Sequence, residues 1–277
     1  MKFGLALPYI DAADTARFAQ MAEEAGWDGV FVGDAIWCVD PMVALTAAAM
    51  KTKHIRLGTM VIPMPLRKPW KVASEAAALD NLSGGRLTLG LGTGAVWMGW
   101  QGFPDEPTDT RIRAEMLDES IDILTNLFRG EPFDYNGQHY HLKLSLVGAE
   151  NYPRRPVQQP RIPLWVVGVW PRMKSMRRVL KCDGLLAAKM DTEKKFTNVT
   201  PQDVREMSAY VAENRTLKTP FDIIIEGKTT GMSTAQAQDT VAPWAEAGVT
   251  WWIEGLWTES KEAVEARIRQ GKPGRLN

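Results

Sequence analysis

Short apolar runs alternate with longer amphipathic segments from one end of the chain to the other. Between the runs, apolar residues recur at helical spacing, as Leu117, Ile121, Leu124 and Phe128 do, which predicts one buried face for each helix. Thr108 is the expected N-cap of that helix. Eight runs have the length and composition of strands. They are residues 3–8, 29–34, 55–63, 86–94, 162–170, 183–189, 221–227 and 249–257.

The strand runs are almost continuously apolar, which is typical of parallel strands covered on both faces. Eight βα units in about 250 residues predict one (β/α)8 TIM-barrel domain over residues 1–277, with a doubly wound open sheet as the alternative. The long interval after the fourth strand leaves room for an insertion. Within it, residues 135–148 predict a β-hairpin with Asn136 and Gly137 at its turn, followed by a proline-rich connection that ends at Pro163.

Composition and charge narrow the classes of function. Lys plus Arg and Asp plus Glu both number 33, so the chain lacks the broad positive charge of a nucleic-acid-binding protein. No signal-peptide pattern and no apolar stretch of about 20 residues occurs, so we expect a cytoplasmic protein without a membrane partner. Two cysteines and three histidines form no zinc framework, so no metal is expected. A small-molecule substrate is the expected partner.

Candidate site residues lie where the apolar runs end, because the active site of such a barrel lies at the carboxyl ends of its strands. Asp34 ends the second run and can accept a hydrogen bond from a substrate or cofactor, or cap the following turn. Gly90, Gly92 and Gly94 form a G-x-G-x-G pattern. They can leave room for a flat ring near the backbone, which would make Thr93 and Gly94 cofactor contacts, or serve ordinary strand packing; we favour the first alternative.

Tryptophan is the unusual residue of this composition, with 11 copies in the chain. Several of them follow strand ends and are expected to surround the mouth of the barrel: Trp37, Trp97, Trp100, Trp170 and Trp257. The alternative is that the tryptophans fill the core. An apolar mouth with few titratable groups suits a planar redox cofactor that supplies its own chemistry. The substrate pocket would then be formed by Tyr9, Trp37, Trp97 and Trp257.

Seven stretches of the chain carry a family resemblance. They are AEEAGWDGVFVGD (22–34), IRLGTMVIPMPLRKP (55–69), LDNLSGGRLTLGLGTG (79–94), RAEMLDESIDILTNLFRGEPFDYNGQHY (113–140), PRIPLWVVG (160–168), RRVLKCDGLL (177–186) and AEAGVTWWIE (245–254). In this order they resemble the luciferase-like flavin- or F420-dependent oxidoreductases. The resemblance implies a barrel that binds FMN or coenzyme F420 at its mouth and moves hydride to or from the ring. It also fits a homodimer, although no interface can be identified in the sequence.

The resemblance implies particular cofactor contacts. In the F420 branch it implies a non-prolyl cis peptide between Met60 and Val61, which would support one face of the ring. It assigns the cofactor phosphate to the loop from Gly168 to Met173 and to the end of the sixth strand. That loop contains Trp170, and Arg172 is its expected cation.

Two positions depart from the pattern of the F420 branch. Many members have Asp-His where this chain has Asp34-Ala35, and some dehydrogenases have Glu where this chain has Ala95. The loss of both acid/base candidates disfavours an alcohol or sugar dehydrogenase. Reduction of an activated alkene or imine, or flavin-type oxygenation, demands less of these positions. Because no Gly-Trp pair follows Leu-Gly-Thr-Gly, F420 is favoured over FMN.

These observations predict a luciferase-like oxidoreductase or monooxygenase that transfers hydride to a small, mostly apolar organic molecule. Asp34 is its candidate catalytic residue. The alternative is a barrel that binds a flavin without catalysis and stores or senses it, because one fold can host unrelated functions. A wide cavity lined by tryptophan would favour the enzyme, whereas the missing acid/base residues favour the binding protein.

Overall fold

Eight parallel strands close into a barrel in the computed structural model, which describes residues 1–148, 151, 152 and 154–274. The strands are β1 (Lys2–Ala6), β2 (Gly29–Val32), β3 (Arg56–Thr59), β4 (Ile62–Pro63), β5 (Leu87–Gly92), β6 (Asp134–Asn136), β7 (His141–Lys143), β8 (Leu164–Trp170), β9 (Gly184–Met190), β10 (Phe196–Thr197), β11 (Asp222–Gly227) and β12 (Trp251–Gly255). Parallel pairing runs β1-β2-β3-β5-β8-β9-β11-β12 and returns to β1. The eight predicted strands and the barrel are confirmed, and the open sheet is excluded.

Helices cover the outside of the barrel. They are α1 (Ala12–Glu24), α2 (Pro41–Lys51), α3 (Pro69–Ser83), α4 (Thr110–Arg129), α5 (Met173–Val179), α6 (Pro201–Asn214), α7 (Thr234–Glu246) and α8 (Lys261–Gln270). The predicted cap of α4 was wrong: Asp109, not Thr108, accepts the N–H groups of Arg111 and Ile112, because its carboxylate stands at the right distance from the first free donors. Within the described residues, no helix has both the length and the apolar character needed to cross a bilayer.

The insertion after β5 contains the predicted hairpin with a different turn. Asn136 of β6 pairs with His141 of β7, so four residues connect the strands. Gly137 lies in this turn as predicted, whereas Asn136 is the last residue of β6. The Glu119 carboxylate of α4 accepts the backbone N–H groups of Gln138, His139 and Tyr140, which holds the longer connection in place. Part of the predicted proline-rich connection, at residues 149, 150 and 153, lies outside the described residues.

The third predicted strand is divided. A cis peptide bond joins Met60 to Val61 between β3 and β4, at the bond that the family resemblance implied. β4 then continues beside the end of β5, where Ile62 pairs with Leu91. The division turns the Met60-Val61 segment toward the interior at the carboxyl end of the barrel, where both side chains pack against the interior cluster.

Three aromatic side chains fill the lower interior of the barrel, and we call Phe31, Trp165 and Trp251 the aromatic floor. Their ring centroids lie 5.3 to 5.7 Å apart. The rings fit because glycines face them: a Cβ atom added to Gly58 would lie 2.5 Å from the Phe31 ring, and one added to Gly4 would lie 2.7 Å from it. Large residues on some strands are thus matched by the absence of side chains on their neighbours.

Gly58→Ala should therefore destabilise the barrel. The added methyl group would overlap Phe31, which is held between Trp165 and Trp251, and overpacking of this kind costs about 1 to 3 kcal/mol. The free energy of unfolding in urea measures the effect. Gly102→Ala is the matched control, because its Cβ would meet no atom within 4 Å and its φ is not positive. Equal stabilities of the two variants would contradict the packing argument.

Candidate active site

Two adjacent cavities open at the carboxyl ends of the strands. The outer cavity has a volume of about 650 Å³ and the inner cavity about 260 Å³, and both are lined by Met60, Val61 and Val167. The inner cavity lies deeper, because its other walls include Leu186 and Ile224, which pack against the aromatic floor. The outer cavity alone falls within the range of about 300 to 1,000 Å³ that is typical of small-molecule sites.

Most of the predicted site residues meet at these cavities. Seven of them line the outer cavity: Tyr9, Asp34, Met60, Val61, Thr93, Gly94 and Trp97. Trp257 lines the inner cavity beside Met60 and Val61. Alternation along the strands explains the convergence, since residues two apart on a strand share the interior face.

Four predicted residues do not line either cavity. Gly168 faces outward, because a Cβ atom there would contact Val179 at 2.7 Å beneath α5. The Trp170 indole donates to Glu206 Oε2 at 3.1 Å, on the side of α6. Arg172 precedes α5 and donates to the Asp191 carbonyl at 3.0 Å. Trp37 is 86% exposed.

The remaining tryptophans divide between mouth and core. Trp97 lines the outer cavity and is 79% exposed, and Trp100 lines the same cavity but is buried. Trp27, Trp165, Trp251 and Trp252 are buried in the core. Both interpretations of the tryptophan content therefore hold for part of the set.

The G-x-G-x-G glycines are covered by the chain itself. The Thr59 carbonyl lies over Gly90, and a Cβ atom at Gly92 would meet Val61 Cγ2 at 2.7 Å. Gly94, with φ at +73°, lies under the Trp100 indole. Ordinary packing accounts for the absence of a side chain at all three positions. Gly92, Thr93 and Gly94 also line the outer cavity, so their contact with a cofactor ring stays a prediction.

Arg113 holds Trp100, the residue that covers Gly94. Arg113 was not among the site residues predicted from the sequence. Its guanidinium lies 4.4 Å from the centroid of the Trp100 ring. It donates to the carbonyls of Thr93 and of Pro107, which it reaches at 2.8 Å. Arg113 is almost fully buried and lines the outer cavity. Its position on the apolar side of α4 was the signal available in the sequence.

Asp34 is part of an ion-pair cluster. Arg67 donates to Asp34 Oδ2 at 2.6 Å and to Oδ1 at 3.0 Å, and it also reaches Asp40 at 2.7 Å. Burial raises the pKa of Asp34, and Arg67 offsets only part of that effect. For Asp40, Arg67 and the backbone N–H groups at the start of α2 outweigh burial and lower the pKa. Arg67 lies in the quoted 55–69 stretch, but its link to Asp34 requires the fold.

Glu226 is a second acid of the mouth that sequence reasoning did not select. It lies near the carboxyl end of β11 and lines the inner cavity, and its Oε1 accepts the Trp257 indole N–H at 2.7 Å. The Trp257 ring lies 5.8 Å from the ring of Tyr9. Burial raises the pKa of Glu226, although the side chain keeps solvent access through the open mouth. Among the described residues, no group of three His, Cys, Asp or Glu side chains could hold a metal ion.

Comparison with known proteins gives the chain a family. A family model described as luciferase-like monooxygenase matches residues 2–271. A protein named as a putative coenzyme F420-dependent oxidoreductase from Mycobacterium tuberculosis is 35% identical over 199 residues, which are 67% of this chain and 55% of that protein. The oxygenase component of a flavin-dependent trigonelline monooxygenase from Acinetobacter baylyi is 30% identical over 155 residues, 54% of this chain and 41% of that protein. The matches thus span about half of these relatives or less.

Solved structures share the fold over nearly the whole chain. An F420-dependent secondary alcohol dehydrogenase superposes with a TM-score of 0.77 at 14% identity, covering 99% of both chains. The coenzyme F420-dependent tetrahydromethanopterin reductase of Methanopyrus kandleri gives a TM-score of 0.71 at 18% identity, covering 98% of both chains. At these identities the likeness concerns the barrel and its topology.

Arg67→Ala should destabilise the protein by about 2 to 3 kcal/mol at neutral pH, somewhat less than the loss of one partner from a fully buried ion pair. Without Arg67, the folded-state pKa of Asp34 rises further above its unfolded value. Folding then opposes the ionisation of Asp34, so the loss of stability in Arg67→Ala is complete above the folded-state pKa of Asp34. The loss becomes smaller as the pH falls toward the unfolded-state pKa of about 4. Urea unfolding at several pH values measures this trend.

Arg17→Ala serves as the control for Arg67→Ala. Arg17 pairs with Asp14 and Glu265 at the surface, where solvent screens an ion pair and its contribution to stability is small. The loss of unfolding free energy in Arg67→Ala could equal that in Arg17→Ala, or it could be independent of pH. Either result would show that the ion-pair cluster of Arg67, Asp34 and Asp40 does not stabilise the mouth.

Proposed function

The chain belongs to the luciferase-like monooxygenase family, and from this membership we propose that it is a hydride-transferring oxidoreductase that reduces an activated double bond. The proposed substrate is a small, mostly apolar organic molecule, and the proposed cofactor is F420 in preference to FMN. The observation that carries the proposal is the mouth itself: two adjacent apolar cavities with a shared wall and few titratable groups. A site of this composition binds and shields a redox cofactor and leaves the electron chemistry to it.

The residues of the mouth fit a flat ring, and Arg172 outside the two cavities is the proposed partner of its anionic tail. Met60, Val61 and Val167 offer an apolar wall on which a ring can lie, and together the cavities provide the necessary volume. Arg172 is the proposed phosphate ligand. Its Nη2 donates to Asp191, whereas its Nε and Nη1 have no partner in the described part of the chain. When bound, the cofactor would supply the hydride, and the chain would position the ring and exclude water from one face.

Two observations support F420 over FMN. The Gly-Thr-Gly segment at the end of β5 continues into Ala95 and Val96 without a Gly-Trp pair. The relative that is 35% identical to this chain is named as F420-dependent. The apolar character of the substrate is supported by the rim of the outer cavity, where Trp97, Met190 and Phe196 offer no charge. The non-catalytic alternative is not favoured, because the mouth holds two acids, Asp34 and Glu226.

Arg172→Ala should weaken cofactor binding about 10- to 100-fold. This range corresponds to about 1.5 to 3 kcal/mol for a charge-assisted hydrogen bond to a phosphate. Fluorescence titration of the purified protein with F420 and with FMN measures the affinities. Arg177→Ala is the control, because Arg177 is an exposed arginine on α5, the helix that Arg172 precedes.

The same titration decides between cofactors. We expect wild type to bind F420 more tightly than FMN. Tighter binding of FMN would overturn the choice of cofactor, and binding of neither would overturn the proposed function. If Arg172→Ala and Arg177→Ala both keep the wild-type affinity, Arg172 does not hold the phosphate.

Asp34→Asn should lower turnover at least tenfold, because an amide cannot accept a proton and pairs poorly with Arg67. Asp40→Asn is the matched control. It removes the other carboxylate that pairs with Arg67, yet Asp40 lines neither cavity of the mouth. Steady-state rates and melting temperatures of both variants are compared. Equal losses of turnover would mean that Asp34 acts only through Arg67.

A further inference from the structure

We propose that Glu226 is the proton donor of this enzyme and that its substrate is an alkene conjugated to a carbonyl group, whose oxygen the Glu226 carboxyl protonates. The inference rests on the proposed function and gives it a substrate class. The acid/base residues that the F420 branch carries after β2 and β5 are Ala35 and Ala95 here. Glu226 would supply the missing proton from a different strand.

The register of β11 directs Glu226 into the site. Ile224 lies in the interior cluster and lines the inner cavity, and Glu226 is two residues further on the same face. The other residues that line the inner cavity are apolar or, in Trp257, aromatic. Among the described residues, Glu226 is therefore the one ionisable group of that cavity.

The carboxyl group is held in a defined orientation. Oε1 accepts the Trp257 indole N–H at 2.7 Å. It also lies across Gly255 of β12, where an added Cβ atom would come within 2.5 Å of it. Oε2 has no hydrogen-bond partner among the described residues. One oxygen is thus fixed, and the other is free to face a ligand.

The other acids near the mouth are engaged. Both oxygens of Asp34 accept from Arg67. Glu254 of β12 is turned away from the interior and accepts from Thr229 and Arg267. Within residues 1–148, 151, 152 and 154–274, Glu226 is paired with no cation, and in this it differs from Asp34 and Glu254.

The titratable groups around Glu226 bring no positive charge to its carboxylate within the described part of the chain. Tyr9, in the loop after β1, interacts electrostatically with Glu226, and its own pKa is raised by burial and by Cys38, Asp34 and Glu226. Lys228 is turned to Glu259. From β9, Lys189 pairs with Asp203. Burial raises the pKa of Glu226, and the Trp257 hydrogen bond opposes this only in part. A protonated carboxyl is a hydrogen-bond donor, which an ionised one is not.

The bound reduced cofactor would supply a hydride to the β carbon of the alkene, where a C–H bond would form as the double-bond electrons move onto the carbonyl oxygen. The Glu226 O–H bond would break as its proton passes to that oxygen, which gives an enol that relaxes to the saturated ketone. The substrate would gain two electrons and two hydrogens, and the oxidised cofactor would release its remaining proton to solvent. Solvent reprotonates the carboxylate through the open mouth, to which Glu226 has access.

The first test is made without cofactor. Infrared difference spectra over a pH titration should contain a protonated-carboxyl band that persists above the range of an exposed glutamate. Because the pKa of Asp34 is raised as well, the spectra are recorded in the Asp34→Asn background, where Glu226→Gln should remove the remaining band. Glu259→Gln in the same background should retain it and controls for the loss of a carboxylate at the same end of the barrel. Trp257→Phe removes the indole donor that lowers the pKa, so the midpoint of the band should move to higher pH. A band that Glu226→Gln leaves unchanged in this background would overturn the proposal.

The second test measures reoxidation of reduced F420 by cyclohex-2-en-1-one, with cyclohexene as the unactivated control. Glu226→Gln should lower kcat about 10²-fold or more, with KM and F420 affinity little changed. Glu259→Gln should keep the wild-type rate. Equal rates in wild type and Glu226→Gln would overturn the role of Glu226. A wild type that binds F420 but leaves the enone unreduced would overturn the substrate class, and one that binds neither F420 nor FMN would overturn the proposed function itself.

Discussion

The packing of three large aromatic rings against glycines is the constraint on which the rest of the barrel depends. Phe31, Trp165 and Trp251 occupy the lower interior, and Gly4 and Gly58 leave the space that Phe31 requires. Because the rings fill the barrel from below, only the carboxyl end of the strands remains open. The depth of the inner cavity is set by this aromatic floor, and the functional site begins where the rings end.

Above the floor, two acids on different strands have different surroundings and hence different chemistry. Asp34 shares Arg67 with Asp40, so its charge is compensated and its orientation is fixed by a guanidinium group. Glu226 receives one neutral N–H from Trp257 and meets no cation in the part of the chain that the structure describes. Burial raises the pKa of both carboxyl groups. The two acids differ in their hydrogen-bond partners more than in their burial. Arg67 holds Asp34 in the wall of the site, whereas the neutral partner of Glu226 leaves that carboxyl able to give up a proton.

This distribution also bears on where a luciferase-like barrel can carry its acidic groups. Ala35 and Ala95 stand where the resemblance to the F420 branch implies histidine and glutamate. In a closed barrel all eight strand ends converge on one mouth, so an acid on β11 can reach the same small volume as an acid on β2 or β5. Conservation of the fold therefore does not require that catalytic groups stay on the same strand.

Periodicity and family resemblance determined the barrel, its eight strands and the Met60-Val61 cis peptide, because these depend on local pattern and on matched stretches. The expectation that site residues follow the ends of the strands also identified residues that line one cavity: Tyr9, Asp34, Thr93 and Trp97. Only the tertiary structure decided which side each residue faces: Trp170 turns to Glu206, and Trp100 covers the glycine expected to lie open. Pairings such as Arg67 with Asp34, or Trp257 with Glu226, join residues about 30 positions apart, and no local pattern encodes such contacts.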